Sequence, residues 1–204
     1  MLKTLFLRGL AVLALAGAVT GAHAANTVVH GNLLYNTDVV RIDFTVASPG
    51  NITLWTDSWL AGLNFDPTLA LFDSAFSLVT IGDDSPDPAA LLPGQGGFDS
   101  QIKLTSLLPG FYHLALTASG NDALGPTFGN GFSLAGTTPI LISQWNQPSY
   151  DINANDQKGT FWQVHLDGVA SVSAVPEPSE LALMLVGLVA VGGVESRRRR
   201  GRAA

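Results

Sequence analysis

Short segments in which hydrophobic and polar residues alternate are the feature that most constrains the fold of this chain. In the segment from Val40 to Val46, the side chains of Val40, Ile42, Phe44 and Val46 are separated by polar residues. Successive side chains of a strand point to opposite faces, so this pattern predicts a strand with one buried face. Similar patterns predict strands at 28–34, 52–57, 68–72, 76–81, 102–105, 111–117 and 162–167, with a weaker one at 140–143. Turn residues separate them, and the sequence therefore predicts an all-β fold, an antiparallel and jelly-roll-like β-sandwich.

The predicted sandwich domain, residues 25–169, has the length of a single domain with one core. Between Ala25 and Ala174 there are thirteen aspartates and no glutamate, and the only basic residues are Arg41, Lys103 and Lys158. This excess of negative charge disfavours nucleic acid as a partner. The chain contains no cysteine, which excludes thiol catalysis and cysteine-bound zinc.

Residues 1–24 have the organisation of an export signal. Lys3 and Arg8 precede or flank the start of an apolar stretch at 10–19, and Ala22 and Ala24 provide the small residues that signal peptidase recognises. We therefore expect removal of residues 1–24, which leaves Ala25 as the first residue of the mature protein. The alternative is that this segment stays as a permanent membrane helix.

The C-terminal end has three parts: a linker at 170–180, an apolar segment at 181–195 and a basic cluster at 196–202. The linker contains Pro176, Glu177 and Pro178, and the basic cluster contains Arg197, Arg198, Arg199 and Arg200. A helix over the apolar residues 181–194 would be about 21 Å long, against about 30 Å for a hydrocarbon core. The pattern predicts a short transmembrane helix with its arginines in the cytoplasm and the preceding domain outside.

This order of Pro-Glu-Pro, apolar helix and arginines resembles the PEP-CTERM sorting signal of Gram-negative bacteria. The resemblance implies an exported protein that is tethered to the inner membrane through its tail. It also implies processing by the membrane protease exosortase, followed by delivery to the cell surface or the extracellular matrix. Exopolysaccharide is the partner, and biofilm the setting, that the resemblance implies. An ordinary C-terminal anchor is the alternative.

A second resemblance covers residues 36–118 and rests on the strand at 68–72, the pair Asp83-Asp84, the pair Asp99-Ser100 and the turn Pro109-Gly110-Phe111-Tyr112. This order is similar to that of the bacterial pre-peptidase C-terminal domain, some members of which bind calcium in such loops. Calcium takes six to eight oxygen ligands, which carboxylates from neighbouring loops can supply. The predicted calcium ligands are Asp66, Asp83, Asp84 and Asp99. The alternative is that these aspartates only accept hydrogen bonds in turns and keep the surface soluble.

The sequence contains neither a Gly-x-Ser-x-Gly elbow nor a His-Glu-x-x-His motif. The protein is therefore expected to be a non-catalytic binding or structural component, the alternative being a secreted hydrolase or its accessory domain. The alternative requires His113 or His165 to lie within hydrogen-bond distance of both a carboxylate and a hydroxyl. Trp59 and Trp145 remain open as surfaces for stacking on sugars, whereas Trp162 is predicted to lie in the core.

Overall fold

A computed structural model describes residues 26–84, 87–147 and 158–175 of the chain. The strands of these residues are β1 (Thr27–Asn32), β2 (Val40–Val46), β3 (Gly50–Thr56), β4 (Pro67–Phe72), β5 (Leu78–Gly82), β6 (Gln101–Leu107), β7 (Gly110–Ala118), β8 (Phe161–Asp167) and β9 (Ser171–Val175). They form two antiparallel sheets with the orders β1-β8-β3-β6 and β5-β4-β7-β2-β9. The predicted all-β sandwich is thus confirmed.

The predicted signal, sorting motif, transmembrane helix and basic cluster, including Ala22, Ala24 and the residues from Pro176 onward, lie outside the described residues. Within the described ranges, no helix has the length and apolar character needed to cross a membrane.

The core lies between the inner faces of the two sheets. Phe44 of β2 is buried in it and stacks on Tyr112 of β7, with 5.6 Å between the ring centroids. On the opposite sheet, Leu54 and Leu166 face each other in the register of β3 and β8, and both are fully buried. The alternating pattern of the sequence therefore marks the buried face correctly, because every second side chain of a strand points to the same side.

Two local predictions are wrong. No strand forms at 140–143, where an isolated bridge at Leu141 is followed by a 3-10 helix, Ile142–Gln144. The apolar character of this segment reflects the burial of Ile142 in the core. The linker predicted to start at residue 170 is instead partly a strand, since Ser171–Val175 pairs with β2 as β9. Its serines and alanine give no strong periodic pattern, and the pairing with β2 outweighs their local preference.

The segment after β7 covers the outer face of the five-stranded sheet. Phe128 and Phe132 pack there in a second hydrophobic cluster with Phe72 of β4 and Ala115 of β7. Pro126 accepts a backbone hydrogen bond from Leu78 (2.7 Å), which fixes this segment to β5. Both faces of this sheet are therefore buried near β4 and β7.

The long connection between β5 and β6 covers part of the outer face of the other sheet. The Gln95 amide nitrogen donates to the Ser100 carbonyl (3.1 Å), and the Gln95 amide oxygen accepts from Gln101 (3.2 Å). At its end, the fully buried carboxylate of Asp99 joins the connection to the segment after β3. Its Oδ1 accepts from Thr56 Oγ1 (2.8 Å), Ser58 N (2.9 Å) and Trp59 N (3.1 Å), and its Oδ2 accepts from Gly96 N (2.8 Å).

We predict that Phe44→Ala lowers the free energy of unfolding of the segment 25–175 by about 3–5 kcal/mol, because it empties a fully packed aromatic position. Phe111→Ala is the control: Phe111 is 41% exposed, so its removal should cost less than half as much. Urea unfolding followed by circular dichroism measures both. Equal losses for the two variants would contradict the described core.

We also predict that Asp99→Ala destabilises the same segment by more than about 2 kcal/mol, because four donors lose a buried acceptor. Asp99→Asn keeps an oxygen at Oδ1 and should cost less. Asp167→Ala, at an exposed position at the end of β8, should change stability by no more than about 0.5 kcal/mol. If Asp99→Ala resembled Asp167→Ala in thermal and urea unfolding, the anchoring role of Asp99 would be disproved.

Candidate functional site

Three of the predicted calcium ligands meet at one end of the five-stranded sheet. Asp66 immediately precedes β4, and Asp83 and Asp84 immediately follow β5. Because β4 and β5 are antiparallel, with Leu69 opposite Gly82, the start of one lies beside the end of the other. The topology therefore brings together carboxylates that are seventeen residues apart in the sequence.

The geometry of this acidic cluster, defined as Asp66, Asp83 and Asp84, suits a cation. One carboxylate oxygen of each residue lies within 4.8 Å of the others, with Asp66 buried and the other two exposed. Two oxygens bound to one calcium ion at about 2.3–2.6 Å can be at most about 5 Å apart. The separation is therefore compatible with a shared ion.

Neighbouring groups hold the acidic cluster in place. Thr68 Oγ1 donates to Asp83 Oδ1 (3.2 Å), and Ser119 N donates to the Asp66 carbonyl (2.8 Å). The backbone nitrogen of Asp66 donates to Gln147 Oε1 (3.3 Å). Thr68 of β4 thus helps to position Asp83, while the residue after β7 and the segment before residue 148 hold the backbone of the buried Asp66.

Asp122 is a further acidic residue near the cluster. Partial burial raises the pKa of Asp122, and the negative charge of Asp83 raises it further, while a backbone hydrogen bond from Gly120 lowers it. A carboxyl whose pKa is higher in the folded state than in the unfolded state costs stability once pH rises above its unfolded value. A bound cation would offset this repulsion, since an opposite charge favours the ionised form.

Asp99 is not among the carboxylates of the acidic cluster, although it was predicted as a ligand. Its two oxygens are already occupied by the four donors described above. Asp57, which follows β3, also lies outside the acidic cluster and has other partners: it accepts from Gln163 Nε2 (2.9 Å) and contacts His165 Nε2 (2.9 Å). Asp83, Asp84 and Asp99 all adjoin the β5–β6 connection in the sequence. Their position in the sequence therefore did not show that Asp99 is held by hydrogen bonds within the fold while Asp83 and Asp84 join the acidic cluster.

Two of the three histidines that lie in described strands, His113 and His165, each contact a carboxylate. His113 Nδ1 lies 2.7 Å from Asp43 Oδ1, which also pairs with Arg41 Nε at 3.1 Å. The ring of Phe76 stacks on His113 with 3.9 Å between centroids and helps to bury it. His165 contacts Asp57, as stated above. Among the described residues, no hydroxyl is hydrogen-bonded to either imidazole.

Trp59, Trp145 and Trp162 all pack against other hydrophobic side chains. Trp162 is buried in the core as predicted, Trp145 packs against that core, and Trp59 is only 9% exposed. Trp59 contacts Phe98 of the β5–β6 connection, with ring centroids 4.9 Å apart. Trp59 therefore presents no open stacking surface, whereas Trp145 is only partly buried.

Sequence reasoning missed the contributions of Asp122, Thr68 and the Asp57–Gln163–His165 contact. Thr68 and Asp122 had a usable signal, because both lie near the same strand ends as the acidic cluster once β4, β5 and β7 are paired. The contact of Asp57 with β8 had none, since it joins residues more than one hundred positions apart.

Comparison with known protein families and with curated proteins gives no further guide to these residues. No family model matches the chain, and no curated protein matches it.

Proposed function

We propose that this chain is an exported, non-catalytic β-sandwich protein that is sorted through a PEP-CTERM tail. It crosses the inner membrane, stays tethered through the short apolar helix, and reaches the cell surface or the extracellular matrix after processing by exosortase. Signal peptidase removes residues 1–24. In this setting the domain binds matrix material such as exopolysaccharide.

The observation that carries this proposal is the point in the sequence at which the last described strand ends. The last strand, β9, ends at Val175, and Pro176 of the sorting motif is the next residue. β9 lies at the edge of its sheet, so the chain leaves the domain at a border strand and not from its interior. A protease acting near Pro176–Pro178 would therefore not need to unfold the core.

The strand order supports the jelly-roll-like classification of the domain. One sheet has the order β1-β8-β3-β6, and the other has β5-β4-β7-β2 with β9 added beside β2. Jelly rolls of eight strands in two sheets are common in binding and capsid domains. The fold alone does not determine a function, and the binding role rests on the sites.

Calcium is the cation that we propose for the acidic cluster. The three carboxylates supply hard oxygen ligands, and calcium accepts irregular arrangements of such oxygens more readily than magnesium does. The exposure of Asp83 and Asp84 leaves room for water to complete the coordination. Calcium would then order the end of the sheet where β4 and β5 meet.

The tail proposal predicts the effect of changing its charge. Replacing the four residues Arg197–Arg200 by glutamine should reduce membrane retention and tail processing, because the positive charges fix the orientation of the short helix. Replacement of the same four residues by lysine keeps the charge and should leave both unchanged. Mass spectrometry of protein from cells and medium measures the two ends, with Ala25 expected as the first residue. Equal processing of the glutamine and lysine variants would contradict the proposal.

The calcium proposal predicts a stabilisation of about 2.7 kcal/mol at a calcium concentration one hundredfold above Kd. Asp84→Asn should weaken this response and cost little in chelator, because it removes one of several mutually repelling charges. Asp167→Asn, at an exposed aspartate outside the cluster, should keep the full response. Melting curves of the segment 25–175 in calcium, magnesium and chelator measure the effect. Coincident curves for the unaltered segment in calcium and chelator would rule the site out.

A further inference from the structure

A group of aromatic and polar side chains lies together on the outer face of the four-stranded sheet. Trp55 of β3 lies between His165 of β8 and Gln101 of β6 in the strand register. The rings of Trp55 and His165 stack, with centroids 4.6 Å apart and an angle of 7° between planes. The imidazole contacts Asp57, which also accepts from Gln163. One carboxylate, one amide and two stacked rings therefore form a connected set.

The β5–β6 connection covers this set. A Cβ atom on Gly94 would lie 3.1 Å from Asp57 Oδ2, and one on Gly96 would lie 2.4 Å from the Trp59 ring. These glycines allow the backbone to approach closely, and Gly94 has a φ of +89°, which favours glycine. Trp55 is only 7% exposed, although it lies on the solvent side of its sheet. The segment 91–98 thus acts as a cover over Asp57 and Trp59, next to Trp55 and His165.

Several buried polar atoms beneath or beside this cover have no hydrogen-bond partner in the described parts of the chain. They are Trp55 Nε1, Ser58 Oγ, Trp59 Nε1 and His165 Nδ1. Three of them belong to the segment 55–59, and the fourth belongs to the ring that stacks on Trp55. Buried polar groups are nearly always hydrogen-bonded, and a local concentration of exceptions indicates that water or a ligand satisfies them.

The types of these atoms restrict the ligand. Indole nitrogens can only donate, so the ligand must supply acceptor oxygens, which a cation cannot do. The Asp57 carboxylate can only accept and would repel an anion. With Nε2 of His165 protonated towards Asp57, Nδ1 also accepts. The ligand must therefore carry groups that both donate and accept hydrogen bonds and must have no net charge. Hydroxyl groups have these properties.

We propose that Trp55, Asp57, Gln163 and His165 form a binding site for a neutral saccharide and that the segment 91–98 closes over it. The aromatic rings provide an apolar surface for the ring carbons of the sugar, and the polar groups bind its hydroxyls. Opening releases the contacts of Gln95 with Ser100 and Gln101, the hydrogen bond from Gly96 N to Asp99 Oδ2 and the packing of Phe98 on Trp59. None of these side chains belongs to the core between the two sheets. This inference rests on the proposed matrix-binding function for its setting and supplies the class of partner.

An array of neutral glucan, mannan and galactan oligosaccharides, with uronate oligosaccharides beside them, tests the site. The full chain is applied in a zwitterionic detergent without a sugar headgroup. We expect retention on at least one neutral oligosaccharide and none on the uronates. Gln163→Ala and Asp57→Asn should weaken retention about tenfold, the effect of losing one or two hydrogen bonds. Gln144→Ala removes an exposed glutamine elsewhere and should have no effect.

A second measurement does not depend on how well the variants fold. The retained oligosaccharide should shift the tryptophan emission of the unaltered chain and reduce its quenching by acrylamide. Absence of retention on every neutral oligosaccharide, preference for uronates, or retention without a tryptophan response would each overturn the proposal. None of these outcomes would change the processing of the tail or the calcium response, so failure of this inference is distinguishable from failure of the proposed function.

Discussion

The register between β3 and β8 determines the positions of two different sets of residues at once. Leu54 and Leu166 face each other across these strands in the core, and the next pair along, Trp55 and His165, faces the opposite side. Because side chains alternate with a period of two, a slip of one residue would exchange the two sets and expose the leucines to water. The large cost of exposing them fixes the register, and the same register places Trp55, Gln163 and His165 on one surface. The polar contacts on the outer face are thus a consequence of burial on the inner face.

Much of the strand framework could be predicted from the sequence, because burial on one face leaves a pattern with a period of two. Val40–Val46 was identified with its full length, since its apolar residues all enter the core. β9 was missed because it is short, lies at an edge and contains two serines, so that its pairing with β2 and not its own composition determines its structure. The segment around Ile142 carried an apolar pattern for a reason other than strand formation. A local hydrophobic pattern indicates which residues are buried. It indicates the type of secondary structure only when the pattern extends over several residues.

The acidic residues also show how far a site can be predicted from the sequence. Of the four predicted ligands, Asp66, Asp83 and Asp84 lie together in the structure, and each adjoins a strand end, a position that can be read from the sequence. Asp99 has the same residue type and adjoins the same loop, yet its carboxylate is buried beneath donors from the segment after β3. Which role an aspartate takes depends on the number of backbone N–H groups that reach it, and these come from distant parts of the chain. The net charge of the domain can be read from its composition. Which carboxylates accept hydrogen bonds within the fold and which join the acidic cluster depends on how the strands are arranged.

The edge position of β9 has a mechanical consequence. A pull on the chain beyond Val175 acts first on β9, which is held to β2 through five residue pairs and a side-chain contact between Thr45 and Ser171. Of its described side chains, only Val172 packs against the core. Traction perpendicular to the strands would break these backbone bonds one after another, while traction along them would load all of them together. The resistance of the domain to a force on the chain beyond Val175 is therefore set by the direction of that force on one border strand. The two-sheet core can stay folded after this strand has been detached.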